Sequence, residues 1–215
     1  MRLAAARPTI HNSGSCSNRG ERSRRSVTPP LVRAFMVWII LLALVLVGLY
    51  VWAVNARIAR RLPAAGSPAP SFSLPDQNGR LRTLDEFRGR WLVLYFYPRD
   101  DTPGCAEQAM RFRNTMRDFE NLGATVCGVS VDDSASHAAF ARKYNLPFAL
   151  LADRTGEVAT RYGSLRKLGP IQFARRNTFL IDPNGTISTV YVGVNAAKNA
   201  QDVSARLREL APAAA

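Results

Sequence analysis

Hydrophobic and polar positions divide this chain into two regimes. From Ala34 to Val54 ("AFMVWIILLALVLVGLYVWAV"), 21 residues pass without a charge. As a helix, such a run spans about 30 Å, the thickness of a bilayer's hydrocarbon core. Trp38 near one end, and Tyr50 and Trp52 near the other, suit the two interfaces. A secretory signal has an apolar core of roughly 7–15 residues, so the run reads as an uncleaved transmembrane helix. Cleavage after Ala56 and a buried core helix are the alternatives. No flanking segment repeats this apolarity, which weighs against the core helix.

Beyond the span the pattern shortens to alternating strands and helices. "RRLPAAGSPAP" (60–70) is a Pro/Ala/Gly linker. "SFSLPDQNGRLRTLDEF" alternates around a Gln-Asn-Gly turn and predicts a hairpin. "WLVLYFYP" is nearly all apolar and predicts a buried central strand. From Cys105, apolar residues recur at Ala109, Phe112, Met116 and Phe119, one face of a helix that Gly123 stops. "ATVCGVSV" predicts a second buried strand and "SASHAAFARKYN" a helix opened by a serine cap. "FALLAD" is strand-like, "GEVATRYG" a short helix, and "NTFLID-PNG-TISTVYVG" a hairpin. A last helix is expected over about 200–210.

This order predicts an α/β fold of the thioredoxin-like type, a mixed central sheet with helices on both faces, preceded by one transmembrane helix. The expected organisation is a basic low-complexity arm (1–33), the span (34–54), a linker (55–67), the domain (68–210) and a frayed tail (211–215).

Composition changes the picture at one point. The net charge of +13 suggests a nucleic-acid binder. Residues 1–66, however, carry ten arginines against Glu21 alone, whereas residues 67–215 have 19 basic and 15 acidic side chains. The basicity belongs to the arm, so no nucleic-acid partner is expected. Within about 20 residues of the span, five arginines precede it (Arg19, Arg22, Arg24, Arg25, Arg33) and three follow (Arg57, Arg60, Arg61). The positive-inside tendency then makes this a single-pass protein of the cell (inner) membrane with its domain on the periplasmic, extracytoplasmic face. Translation from Met36 would leave only the basic "NARIARR" side and reverse that orientation. Cys16, Cys105 and Cys127 are too few for a disulfide framework, and His11 and His137 offer no zinc spacing. His137 is expected on a solvated helix face. No metal or cofactor is implied.

The candidate chemistry lies in "YFYPRDDTPGC" (95–105). A strand feeds directly into the helix of Cys105, which puts the cysteine at the carboxyl end of a central strand, where α/β sheets gather ligands. Thr102 at the N-cap, Pro103 at N1, Gly104 at N2 and Cys105 at N3 satisfy the preferences of a helix start. Threonine would accept from an N2 or N3 amide, and free amides with the helix dipole favour a thiolate at Cys105. "ARRNTFLID" offers an arginine, and alternation with Thr178 and Leu180 selects Arg176 over Arg175. A buried inert thiol at Cys105 is the plainer alternative.

Pro98, Thr102 and Cys105 reproduce the pattern P-x-x-x-T-x-x-C, and with "GVSVDD" and "RNTFLIDPNG" the segment from about Pro68 to Leu210 resembles the peroxiredoxins. Within them it is similar to the peroxiredoxin Q (bacterioferritin comigratory protein) class. The resemblance implies a thiol-dependent peroxidase acting on hydrogen peroxide and organic hydroperoxides. Cys105 would be the peroxidatic nucleophile that becomes a sulfenic acid. Thr102 would hydrogen-bond the peroxide, Pro98 shield the pocket and Arg176 support both, with the Gly104 and Cys105 amides adding donors to the leaving oxygen. Where many of the class carry a resolving cysteine, this chain has Met110, and Gln108 stands where an acid or amide is common. Cys127 is the other thiol of the domain, at a strand position expected to be structural, with a role as resolving cysteine as the alternative. A one-cysteine enzyme follows, reset by an external thiol reductant such as thioredoxin, glutaredoxin or glutathione, with the lipid bilayer as its other partner. The competing readings are a membrane-anchored thiol–disulfide oxidoreductase, which needs the Cys-x-x-Cys that Thr102 removes, and a non-catalytic redox sensor.

Overall fold

The computed structural model describes residues 30–59 and 62–211. Residues 1–29 of the expected arm, the end of the tail, Cys16 and His11 lie outside them, and the last four residues of the arm belong to a helix. The chain divides into two units, residues 1–49 and 50–215. Helix α1, Pro30–Ala59, contains the apolar stretch Phe35–Ala53, whose mean hydropathy is 2.7. Among the described residues it is the one helix long and apolar enough to cross a membrane. It runs into the segment expected as linker, because no proline interrupts it before Pro63.

In the second unit, the remaining linker is part of the domain. The Gly66 amide donates to Ile187 O, the Ile187 amide to Ser67 O and the Ala69 amide to Gly185 O. The first two of these bonds pair the start of strand β9 (Ile187–Tyr191), which would otherwise present unpaired backbone there.

The centre is a five-stranded mixed sheet in the order β5 (Ala149–Ala152), β4 (Ala124–Ser130), β3 (Trp91–Phe96), β8 (Thr178–Ile181), β9. Strand β3 pairs parallel with β4 and antiparallel with β8. Strand β4 pairs parallel with β5, and β8 antiparallel with β9. Alternation sorts β3 between two cores. Val93, Tyr95 and Tyr97 meet Ala109 and Phe112 of α2 (Pro103–Asn114), Phe119 of α3 (Met116–Asn121), Phe140 of α4 (Ser134–Tyr144), and Val203 and Leu207 of α6 (Asn199–Leu210). Leu92, Leu94 and Phe96 face the other way. They pack with Leu74 of β1 (Ser73–Pro75), Phe87 of a 3₁₀ turn (Leu84–Phe87) and Val158 of α5 (Glu157–Arg161). Helices therefore cover one face almost alone. The other has one short helix and the hairpin of β1 with β2 (Leu81–Thr83).

Three local expectations are corrected. The helix from Cys105 is broken at Thr115, whose hydroxyl donates to Arg111 O at 2.9 Å and competes with the helical ladder. Helix α4 is capped by Asp133, which accepts from the Ser136 amide at 2.9 Å, not by a serine. A further hairpin, β6 (Leu165–Leu168) with β7 (Ile171–Ala174), turns at Gly169 and lies outside the central sheet.

Candidate active site

Sequence places Thr102 and Cys105 locally, and the fold then brings distant groups to them. Thr102 is the N-cap residue of α2, with Pro103 at the first helical position. Its hydroxyl makes no cap bond, contrary to expectation, and donates instead to Arg99 O at 3.2 Å. The first turn closes without it, because the Cys105 and Ala106 amides both donate to Thr102 O, at 3.0 and 2.8 Å. Of the two amides expected to face an oxyanion, that of Cys105 is therefore engaged. Donating there leaves the lone pairs of the hydroxyl free to accept. Cys105 itself is 1% exposed, packed among the core residues of the helical face.

Arg176 arrives from the segment just before β8. The Val194 amide donates to its backbone oxygen at 2.9 Å, fixing where the side chain starts. The guanidinium then lies over the first turn of α2, so close that a Cβ added to Gly104 would sit 2.8 Å from Nη2. Glycine at 104 is thus a space requirement of the arginine. Arg176 Nη1 donates to Gln108 Oε1 at 3.1 Å, Gln108 Nε2 to Asn199 Oδ1 at 3.0 Å, and Thr178 Oγ1 to the same Asn199 oxygen at 2.8 Å. Gln108, Thr178 and Asn199 are all buried. This buried chain points the Gln108 carbonyl oxygen at the arginine, since its amide nitrogen is committed to Asn199. Arg175 and Arg176 both border an open cavity whose wall includes Pro98.

The two acids of the quoted stretch anchor the loop that carries Pro98 and Thr102. Asp100 is buried and accepts from Tyr97 OH (2.7 Å), Ser136 Oγ (2.7 Å) and His137 Nδ1 (2.8 Å). Its own amide donates to Asp132 Oδ2 at 2.8 Å. Burial, and then the Asp100 carboxylate, push the Tyr97 phenol well above its ordinary pKa, which keeps it a donor. Asp101, at φ 54°, accepts from Lys143 Nζ and Tyr144 OH, both at 2.7 Å. Both acids tie the loop to α4.

The solvated position expected for His137 is wrong: the residue is fully buried. It shares the inward face of α4 with Phe140 and Ala141, at the i+3 and i+4 spacing that was legible in the sequence. The missing information was the buried carboxylate waiting for it. Asp100, Gln108 in its linking role and Asn199 are the supports that sequence reasoning missed. The Asp-Asp pair on a tight loop hinted at the first, and the amide at position 108 at the second.

Cys127 lies on the other side of the sheet. It belongs with Leu94, Val129 and Phe179, whereas Cys105 belongs with Val93, Tyr95 and Phe112. Burial pushes its thiol up to about 12. Joining the two cysteines would take more than unwinding the first turn of α2, because β4 would also have to turn its side chains over.

Known proteins carry the same arrangement of sequence. The AhpC/TSA family pattern matches residues 65–190. The chain is 46% identical over 127 residues to the chloroplastic peroxiredoxin Q of rice (Oryza sativa subsp. japonica), covering 59% of this chain and 58% of that one. It thus spans a little over half the length of such plant relatives. Over 146 residues it is 40% identical to a peroxiredoxin bcp of Coxiella burnetii, covering 66% of this chain and 97% of the relative. Among solved structures, a Xanthomonas campestris bacterioferritin comigratory protein, studied for its alkyl peroxide reduction activity, superposes with a TM-score of 0.65 at 29% identity. That match covers 69% of this chain and 99% of the other.

Proposed function

The chain belongs to the AhpC/TSA family, and from that premise we propose that it is a thiol-dependent peroxidase with Cys105 as its nucleophile. The observation that carries this reading is the convergence on one helical turn of Cys105, Thr102 and an Arg176 held by its own buried hydrogen-bond chain. The Cys105 thiolate attacks the terminal oxygen of ROOH. The O–O bond breaks, Cys105 becomes a sulfenic acid, and RO⁻ takes a proton to leave as water or an alcohol. Thr102 Oγ1, its proton directed at Arg99 O, accepts from the peroxide O–H. The Arg176 guanidinium stabilises the charge that moves onto the leaving oxygen, a fixed donor that needs no reorganisation. Pro98 walls the site on the side of the open cavity.

With Met110 in place of a helical cysteine and Cys127 across the sheet, the sulfenic acid is reset by an external thiol. The first thiol forms a mixed disulfide and releases water; a second displaces it. In this reading α1 is a single-pass anchor and the domain faces the extracytoplasmic side. Its apolar stretch of 19 residues supports the first statement and the flanking arginines the second.

The test is peroxide consumption by the full-length protein with dithiothreitol as donor. Wild type should turn over and Cys105→Ser should not. Equal rates in the two would refute the assignment. Retention in the membrane through alkaline carbonate washing tests the anchor, and labelling with an impermeant maleimide tests the side.

A further inference from the structure

The open cavity beside Arg176 has a volume of about 570 Å³, and its lining combines two kinds of surface. Arg166, Lys167, Arg175 and Arg176 bring four cations to it, and no acidic side chain lines it among the described residues. None of the four makes a salt bridge among them either, whereas Arg82, Arg88, Lys143 and Arg208 elsewhere on the domain each have a carboxylate within reach. Arg175 is held below the ordinary arginine value by burial and then by the charge of Arg166. Like charges gathered without a counterion are a standing cost, which an anion would remove.

The second surface is apolar. Along β6 and β7 the register sets Arg166 opposite Phe173 and Leu168 opposite Ile171, so one face of the hairpin runs from an aliphatic tip to a basic base. Leu168 is 72% exposed and Ile171 55%. Val192, 51% exposed, adjoins Gly193 and Val194 of the same lining. In the domain Leu81 is the only other large apolar side chain so exposed among the described residues. Leu168 lines the cavity itself, while Ile171 pairs with it and Val192 precedes the lining residue Gly193, and exposed aliphatics clustered in this way mark a binding surface more than scattered ones do.

We propose that this cavity is a carboxylate-binding subsite that makes the protein prefer organic hydroperoxides carrying a carboxylate on an aliphatic chain over uncharged ones of the same length. The inference rests on the peroxidase reading above. Because Pro98 and Arg176 belong both to this wall and to the candidate site, a ligand held here has its chain directed past Pro98 toward Cys105. Arg166 and Arg175 supply planar donors matched to a carboxylate, and Leu168, Phe173 and Val194 take the methylenes.

The experiment compares 10-hydroperoxydecanoic acid with its methyl ester on the full-length protein in phosphatidylcholine nanodiscs. The readout is the ratio of the two kcat/KM values within each protein, which cancels differences in the fraction folded. Wild type should favour the acid on the order of tenfold, the scale of one charge-assisted hydrogen bond. Arg166→Gln and Arg175→Gln should each bring the ratio toward one. A second arm needs no variant: decanoate should inhibit turnover of the ester, and decanol at equal concentration should not. A wild-type ratio near one, or equal inhibition by decanoate and decanol, overturns the subsite while leaving the peroxidase standing. Consumption of neither substrate overturns the peroxidase reading, and the subsite with it.

Discussion

A methyl group at position 104 is the smallest perturbation that reaches the proposed chemistry. The Cβ of Gly104→Ala would lie 2.8 Å from Arg176 Nη2 and 3.5 Å from Cζ. Those atoms end a flexible side chain, so the guanidinium should move and the helix should stay. Moving it by several tenths of an ångström breaks the 3.1 Å bond to Gln108 Oε1 and takes the charge off its position over the first turn of α2. A charge-assisted hydrogen bond contributes roughly 1.5–3 kcal/mol. Losing one in the transition state slows peroxide reduction about 10–150-fold. Stability moves far less. Alanine in a helix gains up to about 1 kcal/mol over glycine, less in a first turn, and this partly offsets the lost bond.

The assay mixes pre-reduced protein with one equivalent of hydrogen peroxide, quenches at intervals and counts remaining Cys105 thiol by mass. Thermal unfolding is followed in parallel. Arg176→Met supplies the control through a double-mutant cycle. If Gly104→Ala acts only by displacing the arginine, it should add nothing to the loss that Arg176→Met already causes. A wild-type rate in Gly104→Ala refutes the reasoning. So do additive losses in the double variant, which would mean the methyl acts on Cys105 or the backbone directly.

Thr102→Val should cost about 1–3 kcal/mol of transition-state stabilisation in single-turnover peroxide reduction, while Thr102→Ser, which keeps the hydroxyl, should lose much less. Intact mass after one equivalent of peroxide should show a gain of oxygen or a thiol adduct; a loss of two hydrogens that disappears in Cys127→Ala would mean that Cys127 resolves after all. The raised Cys127 thiol also has a signed consequence for stability. Its contribution is fully present below the unfolded thiol value of about 8.5 and is lost as pH rises toward about 12, so Cys127→Val should flatten the alkaline fall in melting temperature relative to wild type. His137→Ala leaves the buried Asp100 carboxylate short of one donor and should cost at least about 1–3 kcal/mol in chemical denaturation. An unchanged midpoint would show that the histidine carries no part of the loop's anchorage.

Features that local chemistry decides were legible before any folding was known. An uncharged run of 21 residues can only be a long apolar helix, and the observed α1 contains it. Strands as apolar as "WLVLYF" and "ATVCGVS" must be covered on both faces, and they are the centre of the sheet. Thr-Pro-Gly-Cys starts a helix because proline suits its first position, wherever the rest of the chain goes. Even the inward face of α4 was written in the spacing of His137, Phe140 and Ala141, though read wrongly, because a histidine is polar until its partner is known.

The remaining features depend on segments far apart in the chain. Alternation placed Cys127 with Val129, but not on which side of the sheet relative to Cys105. That was settled when α2 packed on the face of Val93 and Tyr95. The hydroxyl of Thr102 looked like a cap until the loop offered it Arg99 O. No local signal links Arg176 to Gln108, or Gln108 to Asn199 at the start of α6. Each became a partner because burial leaves a polar group only the neighbours that packing brings to it. The β6–β7 hairpin was invisible for the opposite reason. Its residues are mostly surface residues, so no periodic burial marked them, and their meaning comes from the cavity they enclose with Pro98 and Arg176.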